Sequence, residues 1–242
     1  MRLGVLILAG GLGTRLRPVV QEVPKSLAPI KGLPFLIYLL EWIYQQKIVA
    51  EVILSVGYKA DLIAARLGYS YKNIMIKYIQ EETPLGTGGA IKYALHGFGD
   101  CENYLVLNGD TYAAFELSSF LKFHEQNHSD ISIASCEMTN FSRYGSLSID
   151  HRNSITKFNK KMFVEKGYIN CGAYLFTSGF YTNFIKKYSS DKFSFEKDIL
   201  ETSNGSFGLK AYRSNFFFID IGVPEDYERA QVEFPELIVK NE

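Results

Sequence analysis

The hydrophobic positions of this chain follow two alternating periods. Short apolar runs, which are typical of buried strands, fall at residues 3–9, 51–56, 74–79, 104–107 and 131–134. Between them, apolar residues recur at helical spacing over residues 35–46, 61–67, 89–96 and 117–126. This alternation predicts an α/β fold with a mostly parallel sheet and right-handed crossovers.

The pattern changes after about residue 140. Strand-like pieces dominate from there, and helical spacing returns only near the end; the pieces are strands at 145–149, 155–158, 168–176, 208–213 and 216–221, and helices at 179–187, 195–203 and 224–234. We interpret residues 1–242 as one domain whose two halves, 1–140 and 141–242, build on the same sheet.

Composition narrows the function classes. The 242 residues include 26 basic and 26 acidic side chains, so the zero net charge gives no electrostatic case for binding nucleic acid or an anionic membrane. The N-terminal apolar run is too short to span a membrane and lacks a signal-peptide pattern. Three isolated cysteines without metal-binding spacing favour buried, reduced thiols in a cytoplasmic protein. The 16 tyrosines and 18 phenylalanines are compatible with a homodimer interface.

A glycine turn follows the first predicted strand. Gly10, Gly11 and Gly13 allow a backbone with positive φ, and their N–H groups can surround an anion. Arg15 and Arg17 follow at once, and an arginine pairs with phosphate through two parallel hydrogen bonds. The strand, the turn and the arginines together predict a phosphate site.

Two common phosphate motifs do not match this turn. The dinucleotide-binding fingerprint needs a third glycine where this chain has Leu16. A Walker P-loop needs Gly-Lys-Ser/Thr where the chain has Arg15, Leu16 and Arg17. The alternative interpretation is an ordinary strand-to-helix turn with solvent-exposed arginines.

Two further polar clusters follow strand-like runs in the first half. Glycines at 86, 88 and 89 would let the backbone approach a flat ligand, although they also suit a plain loop before a helix. Asp110, after Asn108 and Gly109, is placed to bind Mg²⁺ or to form an Asx turn.

A third cluster begins at Asp220, at the end of a late apolar run. Its carboxylate is a candidate second metal ligand, and Mg²⁺ commonly takes one or two protein carboxylates plus substrate phosphates. Pro224, Glu225 and Asp226 instead suit the first turn of a helix.

Five motifs, in this order, resemble the sugar-1-phosphate nucleotidyltransferases. They are residues 10–18 with Pro24 and Lys25, then 84–89, 108–110, 170–172 and 220–224. The resemblance runs along nearly the whole chain. It implies a Rossmann-like three-layer fold with a mixed, mostly parallel central sheet, in which residues 1–140 bind nucleotide and 141–242 bind the sugar phosphate. The implied reaction joins a sugar 1-phosphate to a nucleoside triphosphate and releases pyrophosphate.

The resemblance also implies roles for single residues. Contacts to the nucleotide are implied for Leu8, Ala9, Gly10, Gly11, Gly13, Thr14, Arg15, Glu81, Pro84, Gly86, Thr87 and Gly109. Contacts to the sugar phosphate are implied for Asn108, Tyr144, Gly145, Lys161, Asn170, Gly172 and Glu196. Catalytic roles are implied for Arg15, Lys25, Asp110 and Lys161, and Asp110 and Asp220 would hold Mg²⁺. We expect Arg15 and Lys25 to be surface charges that contribute little to folding.

One position departs from the family pattern. Where the family has Phe-x-Glu-Lys, with the lysine on the sugar phosphate, this chain has Phe158, Asn159, Lys160 and Lys161. Lys161 matches by spacing, but Lys160 stands in place of the acid. The assignment between the two lysines therefore stays open.

Within the family, residues 82–90, residues 195–198 and the short length are most similar to the D-glycero-α-D-manno-heptose 1-phosphate guanylyltransferases. This similarity implies GTP as donor and GDP-heptose as product, for surface polysaccharide assembly. Mannose, glucose or N-acetylmuramate 1-phosphate, with GTP, UTP or dTTP, are the alternatives. A silent regulator that binds a nucleotide sugar is a further alternative, and the retention of Arg15, Lys25, Asp110 and Asp220 together argues against it.

His124 and His128 are spaced four residues apart on a predicted helix, which suits a zinc site. No third ligand lies nearby in the sequence. We therefore expect both histidines on a solvated helix face.

Overall fold

The computed structural model describes residues 2–11, 13–16, 18–49 and 51–234, and in these it has 14 β-strands, six α-helices, the 3₁₀ turns Lys25–Leu27 and Leu95–Gly97, and the π-helical turns Tyr181–Ile185 and Phe195–Leu200. In chain order the strands and α-helices are β1 (Leu3–Ala9), β2 (Pro29–Ile30), β3 (Leu33–Pro34), α1 (Phe35–Gln45), β4 (Glu51–Val56), α2 (Ala60–Leu67), β5 (Ser70–Tyr71), β6 (Ile74–Gln80), α3 (Gly86–Ala94), β7 (Asn103–Asn108), β8 (Thr111–Ala113), α4 (Leu117–Gln126), β9 (Ile131–Phe141), β10 (Ser146–Ile149), β11 (Ile155–Phe158), β12 (Val164–Thr177), α5 (Ser178–Phe180), β13 (Leu209–Arg213), β14 (Phe218–Asp220) and α6 (Pro224–Glu233). Arg17, one of the two predicted phosphate-binding arginines, lies outside the described residues.

The central sheet is mixed. Its strand order is β11-β10-β12-β7-β1-β4-β6-β5, with β9 also paired to β12 and β13 paired to β9. The four strands β7, β1, β4 and β6 run parallel, whereas β12 runs antiparallel to β7. This arrangement confirms the predicted α/β fold with a mixed sheet.

Helices cover both faces of the sheet because its central strands are apolar on both sides. In β1, Val5 and Ile7 belong to one buried cluster, and Leu6 belongs to the other. Helices α1, α2, α4 and α6 contribute to the first cluster. Helices α3 and α5 and the π-helical turn Phe195–Leu200 contribute to the second. The result is three layers.

The shortest strands are the elements that the sequence pattern did not predict. Strands β2, β3, β5 and β8 contain two or three residues each. So few residues show no periodicity, and their pairing depends on distant parts of the chain. Among the described residues, no helix combines the length and the apolar character needed to cross a bilayer.

One prediction from the sequence is wrong in detail. His124 is buried rather than solvated, and its Nδ1 lies 2.8 Å from Ser132 Oγ, while exposed His128 lies beyond the end of α4. The cysteines are free and buried, as predicted. Cys136 Sγ and Cys171 Sγ are 3.3 Å apart across the pair β9–β12.

His124 makes the stability of the protein depend on pH. Burial lowers its pKa to about 4, and its buried Nε2 has no hydrogen-bond partner among the described residues. The unfolded chain, with a histidine pKa near 6.5, therefore binds more protons than the folded chain as the pH falls from about 7 to about 4. We expect His124 to remove up to about 3 kcal/mol of the free energy of unfolding over this range.

Urea unfolding at about pH 7 and about pH 4.5 measures this contribution. His124→Gln should lose less stability on acidification than the wild type, since glutamine does not titrate. His128→Gln is the matched control and should behave like the wild type. Equal acid sensitivity in all three proteins would contradict the assignment.

Candidate active site

The candidate site lies where β1 and β7 end side by side. Leu8 pairs with Asn108 in the parallel register, and the Gly109 N–H donates to the Leu8 carbonyl oxygen at 2.9 Å. A Cβ at Gly109 would lie 2.6 Å from the same oxygen, so only glycine fits there. The turn after β1 and the turn after β7 therefore share one edge of the sheet, at the carboxyl ends of the strands.

A cavity of about 180 Å³ opens between these two turns. It is lined by Leu8, Ala9, Gly11, Gly13, Thr14, Arg15, Lys25, Ser26, Gly109, Asp110 and Gly222. We call it the basic cavity, since it contains both Arg15 and Lys25. Gly13 has φ of +59°, which agrees with the positive φ predicted for the glycine turn.

A second cavity of about 270 Å³ adjoins the first. It is lined by Leu8, Gly10, Gly11, Glu81, Pro84, Gly86, Thr87, Ala90, Asn108 and Asp110. We call it the loop cavity, after the segment between β6 and α3. Leu8, Gly11 and Asp110 line both cavities and mark their junction. The twelve residues predicted to contact the nucleotide all line one cavity or the other.

Lys25 connects two aspartates that are far apart in sequence. Its Nζ lies 2.5 Å from Asp110 Oδ2 and 3.6 Å from Asp220 Oδ1. The short ladder β8–β14 brings the aspartates together, because Thr111 pairs with Asp220 and the Ile221 N–H donates to the Asp110 carbonyl at 3.0 Å. The sequence predicted both aspartates but not the ladder.

The electrostatics of this pair fit a divalent cation. Burial and the nearby Asp110 carboxylate raise the pKa of Asp220, which shows that the two carboxylates repel each other. Carboxylate oxygens are ligands that Mg²⁺ prefers, and substrate phosphates commonly complete its shell. Within the described residues, no group of three His, Cys, Asp or Glu side chains could hold a metal ion.

The surroundings of Lys25 differ from the prediction. Arg15 is exposed as expected, but the Lys25 side chain is only 10% exposed. Because Lys25 compensates two carboxylates inside the site, its removal would leave their repulsion unbalanced. We therefore withdraw the expectation that Lys25 contributes little to folding.

A hydrogen-bonded chain joins several residues predicted to contact the sugar. Asn170 Nδ2 donates to the hydroxyl of Tyr174, which donates to Glu196 Oε1, both at 3.0 Å. Thr87 Oγ1 donates to Glu196 Oε2 at 2.6 Å. Since Thr87 lines the loop cavity, this series of hydrogen bonds links that cavity to Asn170 and Glu196. Burial raises the pKa of Tyr174 far above its usual value, which keeps its hydroxyl a donor.

Asn108 is the next predicted sugar contact in this region. Its Oδ1 is buried without a hydrogen-bond partner among the described residues, and its side chain lines the loop cavity. Gly172 packs against the same side chain, because a Cβ there would lie 2.5 Å from Asn108 Nδ2. The orphaned oxygen is thus available to a ligand hydroxyl.

Tyr144 and Gly145 lie before β10, and the network around Tyr144 was not predicted. Its hydroxyl donates to Asp226 Oδ2 at 3.3 Å, and Arg143 also pairs with Asp226. Asp226, predicted to lie in the first turn of a helix, is there in α6 but is buried.

The structure does not choose between Lys160 and Lys161. Both are exposed in the connection between β11 and β12. Their roles stay a prediction, as do the other binding roles assigned above.

Sequence reasoning missed two residues of the site. Tyr174 holds both Asn170 and Glu196, but a tyrosine within a buried strand has no distinguishing signal in sequence. Ser26 lines the basic cavity, and its position directly after Lys25 could have indicated it.

Comparison with known proteins identifies the family of the chain. The nucleotidyl transferase family model matches residues 4–236. This chain belongs to the nucleotidyl transferase family. Enzymes of this family typically use a divalent metal ion.

Individual relatives extend over almost the full length of the chain. The D-glycero-alpha-D-manno-heptose 1-phosphate guanylyltransferase of Campylobacter jejuni is 41% identical over 222 residues, covering 92% of this chain and 96% of that protein. The enzyme of the same name from Aneurinibacillus thermoaerophilus is 40% identical, covering 96% and 99%. The crystal structure of HddC from Yersinia pseudotuberculosis complexed with GMP-PN has a TM-score of 0.84 and 39% identity, covering 96% and 98%.

The aspartate pair gives a direct test of the site. Asp110→Asn and Asp220→Asn each remove one negative charge while keeping the size of the side chain. We expect either change to lower turnover by about 10²-fold or more, since it removes a ligand of the divalent ion that would offset the charge of the reacting phosphates. Pyrophosphate release with and without added Mg²⁺ measures the effect.

Glu225→Gln is the matched control, because its exposed carboxylate lies outside both cavities and should be dispensable. Melting temperatures verify that each variant is folded. Full activity of either aspartate variant, or of the wild type in excess chelator, would rule out the metal assignment.

Proposed function

We propose that this protein is a D-glycero-α-D-manno-heptose 1-phosphate guanylyltransferase, which makes GDP-heptose and pyrophosphate from GTP and the sugar 1-phosphate. The observation that carries the proposal is the pair of cavities joined at Asp110, in a chain about 40% identical to such enzymes over nearly its whole length. GDP-heptose would then serve surface polysaccharide assembly. The free buried cysteines agree with the reducing cytoplasm, where we place the enzyme.

The residues that line the two cavities indicate which part of GTP each cavity would bind. The basic cavity offers Arg15, Lys25 and the glycine turn to the triphosphate. The loop cavity, lined by Glu81, Pro84 and Gly86, suits the guanosine. The α-phosphate then lies at the junction, beside Asp110. This placement leaves the side with Asn108, Asn170 and Glu196 to the sugar.

The chemistry requires little beyond positioning and charge. An oxygen of the sugar 1-phosphate forms a bond to the α-phosphorus, the bond to the β-phosphate oxygen breaks, and pyrophosphate leaves with the bonding electron pair. The attacking oxygen is already anionic, so no general base is needed. Arg15 and Lys25 stabilise the charge that develops on the leaving group, and Lys160 or Lys161 holds the incoming phosphate.

We propose Mg²⁺ as the metal ion, held by Asp110 and Asp220. When bound, it offsets the negative charge of the phosphates. Asp110 and Asp220 would hold it, and Lys25 pairs with both carboxylates. The predicted homodimer stays a prediction.

An activity assay tests the proposal. It combines each of four nucleoside triphosphates with the 1-phosphates of heptose, mannose, glucose and N-acetylmuramate. GTP with heptose 1-phosphate should give the highest kcat/KM for nucleotide-sugar formation, with Asp110→Asn as the inactive background. A higher kcat/KM for another pair would reassign the substrates. Nucleotide-sugar binding without turnover of any pair would favour the silent regulator.

Glu81 supplies a physical reason for GTP. Guanine presents N1–H and the N2 amine as adjacent donors, and a carboxylate can accept from both; the other common bases lack this pair. Glu81 lines the loop cavity, where hydrogen bonds from Ser55 Oγ at 2.9 Å and the Leu85 N–H at 3.1 Å orient its carboxylate. Glutamine at this position would offer one acceptor and one donor.

We expect Glu81→Gln to lower kcat/KM for GTP by about tenfold or more and to leave the low UTP activity unchanged. Exposed Glu82, the next residue, lies outside both cavities, and Glu82→Gln is the control that should retain the preference. Parallel losses with GTP and UTP in Glu81→Gln would show that the base is recognised elsewhere.

A further inference from the structure

Ser26 is a buried serine whose hydroxyl has no partner among the described residues. The residue is 4% exposed and lines the basic cavity, and its Oγ is buried. A buried hydroxyl that makes no hydrogen bond is unfavourable, and most native structures avoid it. The position of Ser26 suggests that a bound ligand supplies the missing hydrogen-bond partner of this hydroxyl.

The backbone holds Ser26 in a fixed place. It lies in the 3₁₀ turn Lys25–Leu27, in which the Leu27 N–H donates to the Pro24 carbonyl at 2.8 Å and the Ala28 N–H to the Lys25 carbonyl at 3.0 Å. The preceding side chain, Lys25, is anchored on Asp110 and Asp220. Little reorganisation is therefore needed for the hydroxyl to meet a ligand in the cavity.

The two cavities indicate which part of the ligand Ser26 meets. Asp110 lines both cavities, so it marks the α-phosphate under the proposed function. Ser26 lines only the basic cavity, together with Arg15 and Lys25. Its neighbours are thus the charges that surround the far end of the triphosphate.

Resting on the proposed function, we propose that the Ser26 hydroxyl donates a hydrogen bond to an oxygen of the β- or γ-phosphate of GTP. The same contact would hold the pyrophosphate product. Ser26 is thereby the third side chain, after Arg15 and Lys25, that contacts the leaving pyrophosphate. Unlike the other two, it is uncharged. Nothing in the contact requires the sugar, so binding alone reports on it.

Ser129 provides a matched control within the same chain. It is also 4% exposed, and its Oγ likewise has no partner among the described residues. It lies between α4 and β9 and lines neither cavity. Ser26→Ala and Ser129→Ala therefore remove the same kind of group, and only the first removes it from the basic cavity.

Isothermal titration calorimetry tests the proposal. GTP, GMP and inorganic pyrophosphate are each titrated into the wild type and into both variants. Ser26→Ala should raise the Kd of GTP and of pyrophosphate by about tenfold or more, the usual effect of losing a hydrogen bond to a charged group, and leave the Kd of GMP unchanged. Ser129→Ala should change none of the three. Neither variant should melt below the wild type. Ser26→Cys, with a weaker donor of similar size, should fall between wild type and alanine.

Wild-type affinity of Ser26→Ala for GTP and pyrophosphate would overturn the inference and assign the hydroxyl to a solvent partner. An equal loss with GMP would overturn it too, by moving the contact to the α-phosphate. If Ser26→Ala does not fold, the Ser26→Cys titrations decide between the same outcomes. A wild-type protein that binds neither GTP nor pyrophosphate would instead refute the proposed function.

Discussion

The contact of Lys25 with Asp110 and Asp220 is the interaction on which the rest of the site depends. Two ionised carboxylates held close together repel each other, and the ladder β8–β14 brings Asp110 and Asp220 together. Lys25 supplies a compensating charge from a turn that also carries Ser26. One ammonium group therefore connects the turn after β7, the end of β14 and the lining of the basic cavity.

Negative charge determines how the site is divided. Both substrates are anions, so the cations and free N–H groups lie in the basic cavity, and the carboxylates that remain lie at the junction or serve as hydrogen-bond acceptors. Glu196 illustrates the second case, since Thr87 and Tyr174 both donate to it. These two hydrogen bonds orient its carboxylate in advance, which would lower the entropy lost if it contacts the sugar as proposed.

Sequence reasoning succeeded where a signal was local. The bounds of β1, β4, β11 and α4 agree with the predicted ranges because each has its own apolar period. The glycine turn and both aspartates each follow a strand-like run, and the structure brings them to one region of the molecule, while their binding roles stay predictions. Pairing between distant segments could not be predicted from local patterns. The pairing of Thr111 with Asp220 and the contact of Cys136 with Cys171 form only when the strands have assembled into sheets. His124 failed because helical spacing shows which residues share a face, and not whether that face is covered.

Strand β12 has a consequence for how the molecule can move. Its 14 residues pair with β9 along most of their length, with β7 at one end and with β10 at the other. The first and second halves of the chain therefore share one continuous set of main-chain hydrogen bonds. A rigid rotation of one half against the other would shear that ladder and is therefore costly. Under the proposed function, access to the reacting phosphates would then depend on side chains and on the connections at the rim of the sheet.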